Sequence, residues 1–297
     1  MTGLDLGRLG VWGHLDSFAA ADALDYARRA EELGFGTLWV PETVGREPIA
    51  LLAMLAAGTD AINLGTSIVS IWGRDAQSSR MAAMTLSEAS GGRFVLGLGV
   101  SYPNLAGKLR GHEYARPLTR MREYLAAYRA AIYRGPTADG APEPPVLLAA
   151  LRERMTDLAA TDADGALPYL VTPDRVAWMR GRLDAAANGA HRLLAVTLPA
   201  VIGESADREA ARAYLKPYLR TPTYHASWEL QGFEPRDWEP PGSDRLVDAM
   251  VATGTADLVR DRVGAMVEAG ADHVAIIPLA PDGATEHLAT LEALSRG

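Results

Sequence analysis

Few residues in this 297-residue chain are equipped for covalent or metal chemistry. There is no cysteine, which removes thiolate nucleophiles, iron–sulfur clusters, disulfides and Cys-ligated zinc together. The two lysines, Lys108 and Lys216, end no expected strand, so a Schiff-base aldolase has no nucleophile. The histidines, at 14, 112, 191, 225, 273 and 287, form no His-x-His or His-x-x-x-His pair, and no metal site is expected. Glu42 is the one carboxylate close behind an early strand, where a glycosidase needs two that face each other. Hydroxyls, backbone amides and aromatics remain. They suit a large planar cofactor that brings its own reactivity and leaves the protein to bind and orient it.

The elements that would position these groups alternate short apolar runs with longer amphipathic ones. Strands are expected at Gly10-Val11-Trp12, Thr37 to Val40, Leu64 to Val69, Phe94 to Gly97, Val146 to Ala149, Leu167 to Val171, Leu193 to Ile202 and His273 to Ile277. Helices are expected between them, from Phe18 to Leu33, from Pro48, from Asp75 to Ala89, from Leu118 to Tyr133, around Met155, after Thr172-Pro173 and from about Ala284. Thr172 is placed to cap a helix whose first residue is Pro173. A Pro/Gly-rich turn is expected from Gly135 to Pro145.

Eight strands apolar on both faces, each followed by a helix, predict a single α/β domain over residues 1–297, a (β/α)8 TIM barrel. The rival, an open doubly wound sheet, calls for a glycine fingerprint after the first strand, and Gly13-His14-Leu15-Asp16 is not one. Two loop insertions stand out, at about 101–116 and 220–243, the second carrying Tyr224, Trp228, Phe233 and Trp238. Each reads equally as a substrate lid or as a packed ornament of the rim. The site of such a barrel lies at the carboxyl ends of its strands. Trp12-Gly13-His14, Pro41-Glu42-Thr43, Ser67-Ile68-Val69-Ser70, Gly99-Val100-Ser101-Tyr102, Leu151-Arg152, Val171-Thr172, Gly203-Glu204 and Pro278-Leu279 fall there.

The net charge of −8 argues against nucleic-acid binding, which wants a clustered basic face. No apolar run approaches the ~18 residues of a membrane span. The first residues lack a basic stretch and Asp5 interrupts any apolar one, so a cytoplasmic protein is expected.

Four stretches taken together carry a resemblance: Leu38-Trp39-Val40-Pro41-Glu42, Leu64-Gly65-Thr66-Ser67-Ile68, Gly92 to Ser101, and Ala269-Gly270-Ala271-Asp272-His273-Val274. In order and spacing, from about Leu9 to Leu279, the chain resembles the luciferase-like monooxygenase superfamily, within it the branch that uses coenzyme F420. The resemblance implies a bulge after strand three with a non-prolyl cis peptide behind the deazaflavin ring, by position Ser67-Ile68; an ordinary trans strand end is the alternative. It implies that Gly99, Val100 and Ser101 offer amides and a hydroxyl to the phosphate-bearing tail. It also implies a homodimer, for which Met81, Met84 and Leu86 on an outer helix are candidate contacts.

Three positions depart from the family pattern. Where F420-dependent relatives often carry Trp-x-x-Asp-His, this chain has Trp39-Val40-Pro41-Glu42-Thr43, so Thr43 replaces the histidine. Tyr102 stands where some dehydrogenases of the group place Glu. Leu151-Arg152 stands where a Gly is common. Arg152 either adds a charge-assisted phosphate bond or closes the approach that Gly permits.

Individual residues keep two readings. Trp12 and Trp39 are barrel core or cofactor platform, with Trp12 nearer the mouth. Glu42 pairs with an arginine or, desolvated, handles protons. Tyr102 and His112 reach the substrate as acid–base groups or are simply packed or solvated. The expected function is hydride transfer between F420 and a small organic substrate. An FMN-dependent monooxygenase of the same fold is the alternative, and a ligand-binding barrel without catalysis is the alternative of another class.

Overall fold

The computed structural model describes residues 4–137, 143–203 and 208–295. Among the described residues ten strands, all paired in parallel, make the sheet: β1 (Leu9–Trp12), β2 (Thr37–Val40), β3 (Asn63–Thr66), β4 (Val69–Ser70), β5 (Phe94–Gly99), β6 (Val146–Ala149), β7 (Gly165–Leu167), β8 (Leu193–Ile202), β9 (Ala252–Gly254) and β10 (His273–Leu279). Their order runs β10-β1-β2-β3-β5-β6-β7-β8, and β8 pairs back onto β10 from Ala195↔His273 to Val201↔Leu279. The sheet therefore closes, with eight staves. β3 and β4 share one stave against β5, through Leu64↔Phe94 below and Val69↔Leu98 above. β9 extends the upper part of β8 at Ala200↔Ala252. This is the (β/α)8 barrel that the alternation of runs predicts.

Helices α1 (Ala20–Glu32), α2 (Pro48–Ala56), α3 (Ala76–Ala89), α4 (Pro117–Ala130), α5 (Glu153–Asp162) and α6 (Pro173–Ala186) alternate with the strands, and α7 (Arg208–Leu215), α8 (Pro222–Glu229), α9 (Pro235–Trp238) and α10 (Asp244–Met250) follow β8. α11 (Ala256–Glu268) and α12 (Leu288–Ser295) complete the chain. The helix starts are chemically marked. Thr172 accepts from the Arg175 N–H ahead of Pro173, and Asp75 accepts from Ser78, each satisfying an amide that the helix cannot. Among the described residues no helix is long and apolar enough to cross a membrane.

The barrel interior is filled by Leu6, Trp39, Val95, Leu147, Leu167, Ala195 and Ala275. Trp39, 1% exposed, donates its indole N–H to His273 Nε2 at 2.9 Å, and His273 Nδ1 donates to the Gly7 carbonyl at 2.6 Å. Burial lowers the His273 pKa to about 4, so the ring sits there neutral, donating on one side and accepting on the other. Gly10 and Gly65 make room for this pair: a Cβ on either would come within 2.4 Å of the His273 or Trp39 ring. Burying an indole removes roughly 150–250 Å² from water, worth about 4–6 kcal/mol as an upper figure. Trp39 is thus core.

The structure redraws several expected elements. The third strand breaks into β3 and β4 at Ser67-Ile68. The sixth spans Gly165–Leu167, ending where Leu167 to Val171 was expected to begin, because Leu170 adopts φ +54 and turns the chain, leaving only a bridge from Tyr169 to Thr197. The 220–243 segment is helical: α8 and α9 pack Trp228, Phe233 and Trp238 with α7, α10 and the upper ends of β8 and β10. It forms a packed cap, so the ornament reading describes it better than a loose lid. The 101–116 segment holds a π-helical stretch, Asn104–Leu109. On α3, Met84 and Leu86 turn inward at 7% and 2% exposure and are withdrawn as dimer contacts, whereas Met81 is 49% exposed. Residues 138–142 of the expected turn, and Glu204, lie outside the described residues.

Candidate functional site

The floor of the mouth is built where β1, β3 and β5 end. The Ser67–Ile68 peptide is cis, as the resemblance implies. Trp12 donates its indole N–H to the Ser67 carbonyl at 3.0 Å, Ser67 N–H donates to Val40 O at 2.9 Å, and Glu42 N–H donates to Ile68 O at 3.1 Å. Each bond joins the bulge to the end of another strand, β1 or β2. Trp12 and Ile68 are half-buried and pack on top of the interior cluster. Gly99 lies under Ile68, and a Cβ there would meet its Cγ1 and Cδ1 at 2.6 and 2.5 Å. Trp12, Ser67, Ile68 and Gly99, expected from three separate stretches of sequence, come together.

Glu42 is spoken for. Its side chain is 8% exposed, its Oε2 accepts from the Ser70 N–H at 2.6 Å, and its Oε1 faces Arg74 at 3.1 Å and Arg110 at 3.0 Å. The carboxylate ties β4 to guanidinium groups from two loops. The proton-handling reading of Glu42 gives way to that of an anchor, because both oxygens are already engaged by three donors.

Beyond Gly99 the chain turns sharply, with Ser101 at φ +55. Val100 O accepts from the Trp72 indole at 2.9 Å and Ser101 O from the Tyr114 hydroxyl at 3.2 Å, which fixes the turn. Tyr102 places its hydroxyl 2.6 Å from that of Tyr224 in the cap, so the 220–243 segment stands at the same end of the barrel as Ser101. Burial pushes the Tyr102 phenol up to about 12, which makes it a neutral hydrogen-bonding group at pH 7 and a poor base. Leu151 packs between core and cap, and its carbonyl accepts from Arg175 at 2.6 Å. Arg152 is exposed at the N-cap of α5. His112 is exposed, with its ring 5.8 Å from that of Trp72.

Two groups at the mouth were marked by the sequence only in part: His14 stands at the end of the first strand, and Tyr102 and Tyr224 lie in the two insertions. One surrounds His14, whose ring lies parallel to Trp12 at 6.4 Å and whose Nε2 is 3.5 Å from Asp16. Asp16 also accepts from Thr43 and from the Gly45 and Arg46 amides. Desolvation works to raise its pKa, yet these bonds lower it. Glu286, beyond β10, accepts from the His14 N–H at 2.6 Å, and burial raises its pKa against the opposing bonds from Thr285 and His14. It lies too far past the last strand to be marked by the strand-end rule. The other group is a set of tyrosines at 102, 169, 214, 218 and 224 whose rings meet in the cap. The i, i+4 spacing of Tyr214 and Tyr218 was the available signal.

The sequence matches the model of the luciferase-like monooxygenase family over residues 1–273. The chain belongs to this family. A Mycobacterium tuberculosis protein provisionally named coenzyme F420-dependent oxidoreductase is 32% identical over 253 residues, covering 73% of this chain and 72% of the relative. The 5,10-methylenetetrahydromethanopterin reductase of Methanolobus tindarius is 26% identical, covering 86% and 90%. Among solved structures, an F420-dependent secondary alcohol dehydrogenase with an F420–acetone adduct superposes with a TM-score of 0.77 at 15% identity, covering 97% of each chain. The FMN-bound oxygenating constituent of 3,6-diketocamphane monooxygenase from Pseudomonas putida superposes at 0.71 and 17%, covering 97% and 95%. At such identities these two likenesses speak for the fold. As a luciferase-like enzyme, the protein presents an apolar floor, a turn of backbone amides and a tyrosine-rich side wall, an arrangement suited to binding and orienting rather than to covalent catalysis.

Proposed function

We propose that this chain is a cytoplasmic oxidoreductase that transfers hydride between coenzyme F420 and a small organic substrate. The observation that carries the reading is the floor made by Trp12, Ile68 and Gly99: two apolar side chains half-open to the mouth over a glycine that permits their close approach. Such a surface accepts a flat ring against one face and leaves the other open. The 32% identity to a protein provisionally named F420-dependent favours the deazaflavin.

When bound, the cofactor supplies the carbon that accepts or gives the hydride. The chain's own residues do the rest. Trp12 and Ile68 carry the ring, and Glu42 holds the β4 segment beside them in register. The amides of Ser101 and Tyr102 bond no protein acceptor among the described residues and are free to meet an anion. Arg152, exposed at the start of α5, adds positive charge on that side. The cap over the mouth limits water. A homodimer is part of the same reading, formed across the apolar grooves that Met81 shares with Ile49 and Ala53 on one side and Ile132 on the other.

FMN is the second reading, favoured by the FMN-bound monooxygenase that shares the fold. Separate titrations of the purified protein with F420 and with FMN decide between them. Saturable F420 binding at least tenfold tighter than FMN is expected. The reverse order selects the monooxygenase, and binding of neither selects a barrel that works without a flavin-type cofactor.

A further inference from the structure

Five tyrosines form one side of the mouth. Tyr102 follows β5, Tyr169 follows β7, and Tyr214, Tyr218 and Tyr224 come from the cap. Their rings meet edge to face: Tyr218 and Tyr224 at 5.1 Å and 89°, Tyr169 and Tyr218 at 5.4 Å and 76°, Tyr169 and Tyr224 at 5.9 Å and 84°. Tyr224 is buried and rests on Trp228, which has no exposure at all. The other four remain half-buried, so the wall is backed by the cap and open on one side.

The hydroxyls are paired. Tyr102 lies 2.6 Å from Tyr224, and Tyr169 bonds Tyr214. Two phenols hold two protons and need one to join them, so one O–H of each pair is left to donate elsewhere. Among the described residues, no second acceptor receives it from Tyr102 or Tyr224. Desolvation pushes Tyr102 up to about 12 and raises Tyr169, Tyr214 and Tyr224 well above the ordinary phenol value. The wall therefore stays uncharged at neutral pH. A cation brought against it would lose hydration without gaining a free counter-charge, since Glu286 already accepts from His14 and Thr285, and an anion would compete with the cofactor tail for Arg152, which the proposed function assigns to that tail. An aromatic surface with an unspent donor and no charge of its own matches a neutral ring carrying an oxygen acceptor.

We infer that the tyrosine wall is the substrate-facing side of the mouth and selects an uncharged, ring-bearing molecule with an acceptor oxygen such as a carbonyl. The inference rests on the mouth being the active site, as proposed above. It is tested by calorimetric titration at pH 7 with four probes of one shape: 2-acetonaphthone, 2-naphthoate, 2-(aminomethyl)naphthalene and naphthalene, with and without F420. The ketone is expected to bind at least tenfold tighter than either ion. The double variant Tyr102→Phe/Tyr224→Phe keeps both rings and removes both hydroxyls. It should weaken the ketone about fivefold, the worth of one hydrogen bond, and change naphthalene less than twofold. An ion binding as tightly as the ketone, no probe binding, or a double variant that treats the ketone as the parent does would overturn the inference. F420 affinity, read from cofactor fluorescence on the same samples, is a separate result: its absence overturns the cofactor reading whatever the probes do.

Discussion

Trp12 gives its indole N–H to the Ser67 carbonyl across 3.0 Å and thereby ties the end of β1 to the bulge after β3. The bond reaches 55 residues along the sequence and sits directly under the open mouth. Replacing Trp12 by Phe keeps an aromatic ring and deletes the donor. We expect a stability loss of about 1 kcal/mol and an F420 affinity loss of roughly five- to tenfold, seen in parallel thermal melts and fluorescence titrations. Unchanged affinity would remove Trp12 from the cofactor floor.

Glu42 tests the anchor reading. Glu42→Gln leaves Arg110 without a carboxylate, while Arg74 keeps its ion pair with Glu47, and an uncompensated, partly buried guanidinium group is costly. A loss of about 1–3 kcal/mol in chemical denaturation is expected, below the figure for a fully buried pair because Arg74 keeps Glu47 and Arg110 remains 28% exposed. A purely catalytic Glu42 would instead leave stability unchanged.

Gly97 and Gly99, two residues apart on β5, should respond differently. A Cβ on Gly97 would lie 1.9 Å from the Thr66 carbonyl oxygen, a backbone atom held in the sheet, so Gly97→Ala should cost about 3 kcal/mol or more. On Gly99 the same Cβ meets the Ile68 side chain, which can rotate. Gly99→Ala should cost nearer 1 kcal/mol but push Ile68 into the mouth, weakening F420 about tenfold. Equal stability losses in the two variants would contradict this geometry.

His273 links pH to stability. Its pKa is lowered to about 4 in the fold, against roughly 6.5 in the unfolded chain. Between those values the unfolded state binds the extra proton, so stability falls as pH drops through the window and the loss is complete below about 4. The contribution is up to about 3 kcal/mol. Urea midpoints measured from pH 7 to 4 should show this slope in the parent and lose it in His273→Gln, which keeps a donor and an acceptor but does not titrate.

For the dimer, light scattering should report twice the 31.7 kDa chain mass at micromolar concentration, and Met81→Glu should return it to one. Monomeric parent protein would remove the proposed contact.

Local physics settled a good part of this protein before any fold was drawn. Apolar runs of about four to eight residues, rich in β-branched side chains and bounded by turn residues, read as strands covered on both sides, and Thr172-Pro173 can start a helix without tertiary help. The barrel was legible for that reason, as were Trp12, Ile68 and Gly99 at the strand ends. What a side chain does once there was not legible. Glu42 became an anchor because Arg74 and Arg110, 32 and 68 positions along the chain, meet it in space. Met84 and Leu86 turned inward while Met81 stayed out, because the rotation of α3 is set by what it packs on. The tyrosine wall and the His14–Glu286 contact join residues 122 and 272 positions apart, and no local pattern marks such pairs. Periodicity reports which face is buried. Only closure of the barrel decides which distant groups share a hydrogen bond, because that depends on the ends of non-adjacent staves converging on one mouth.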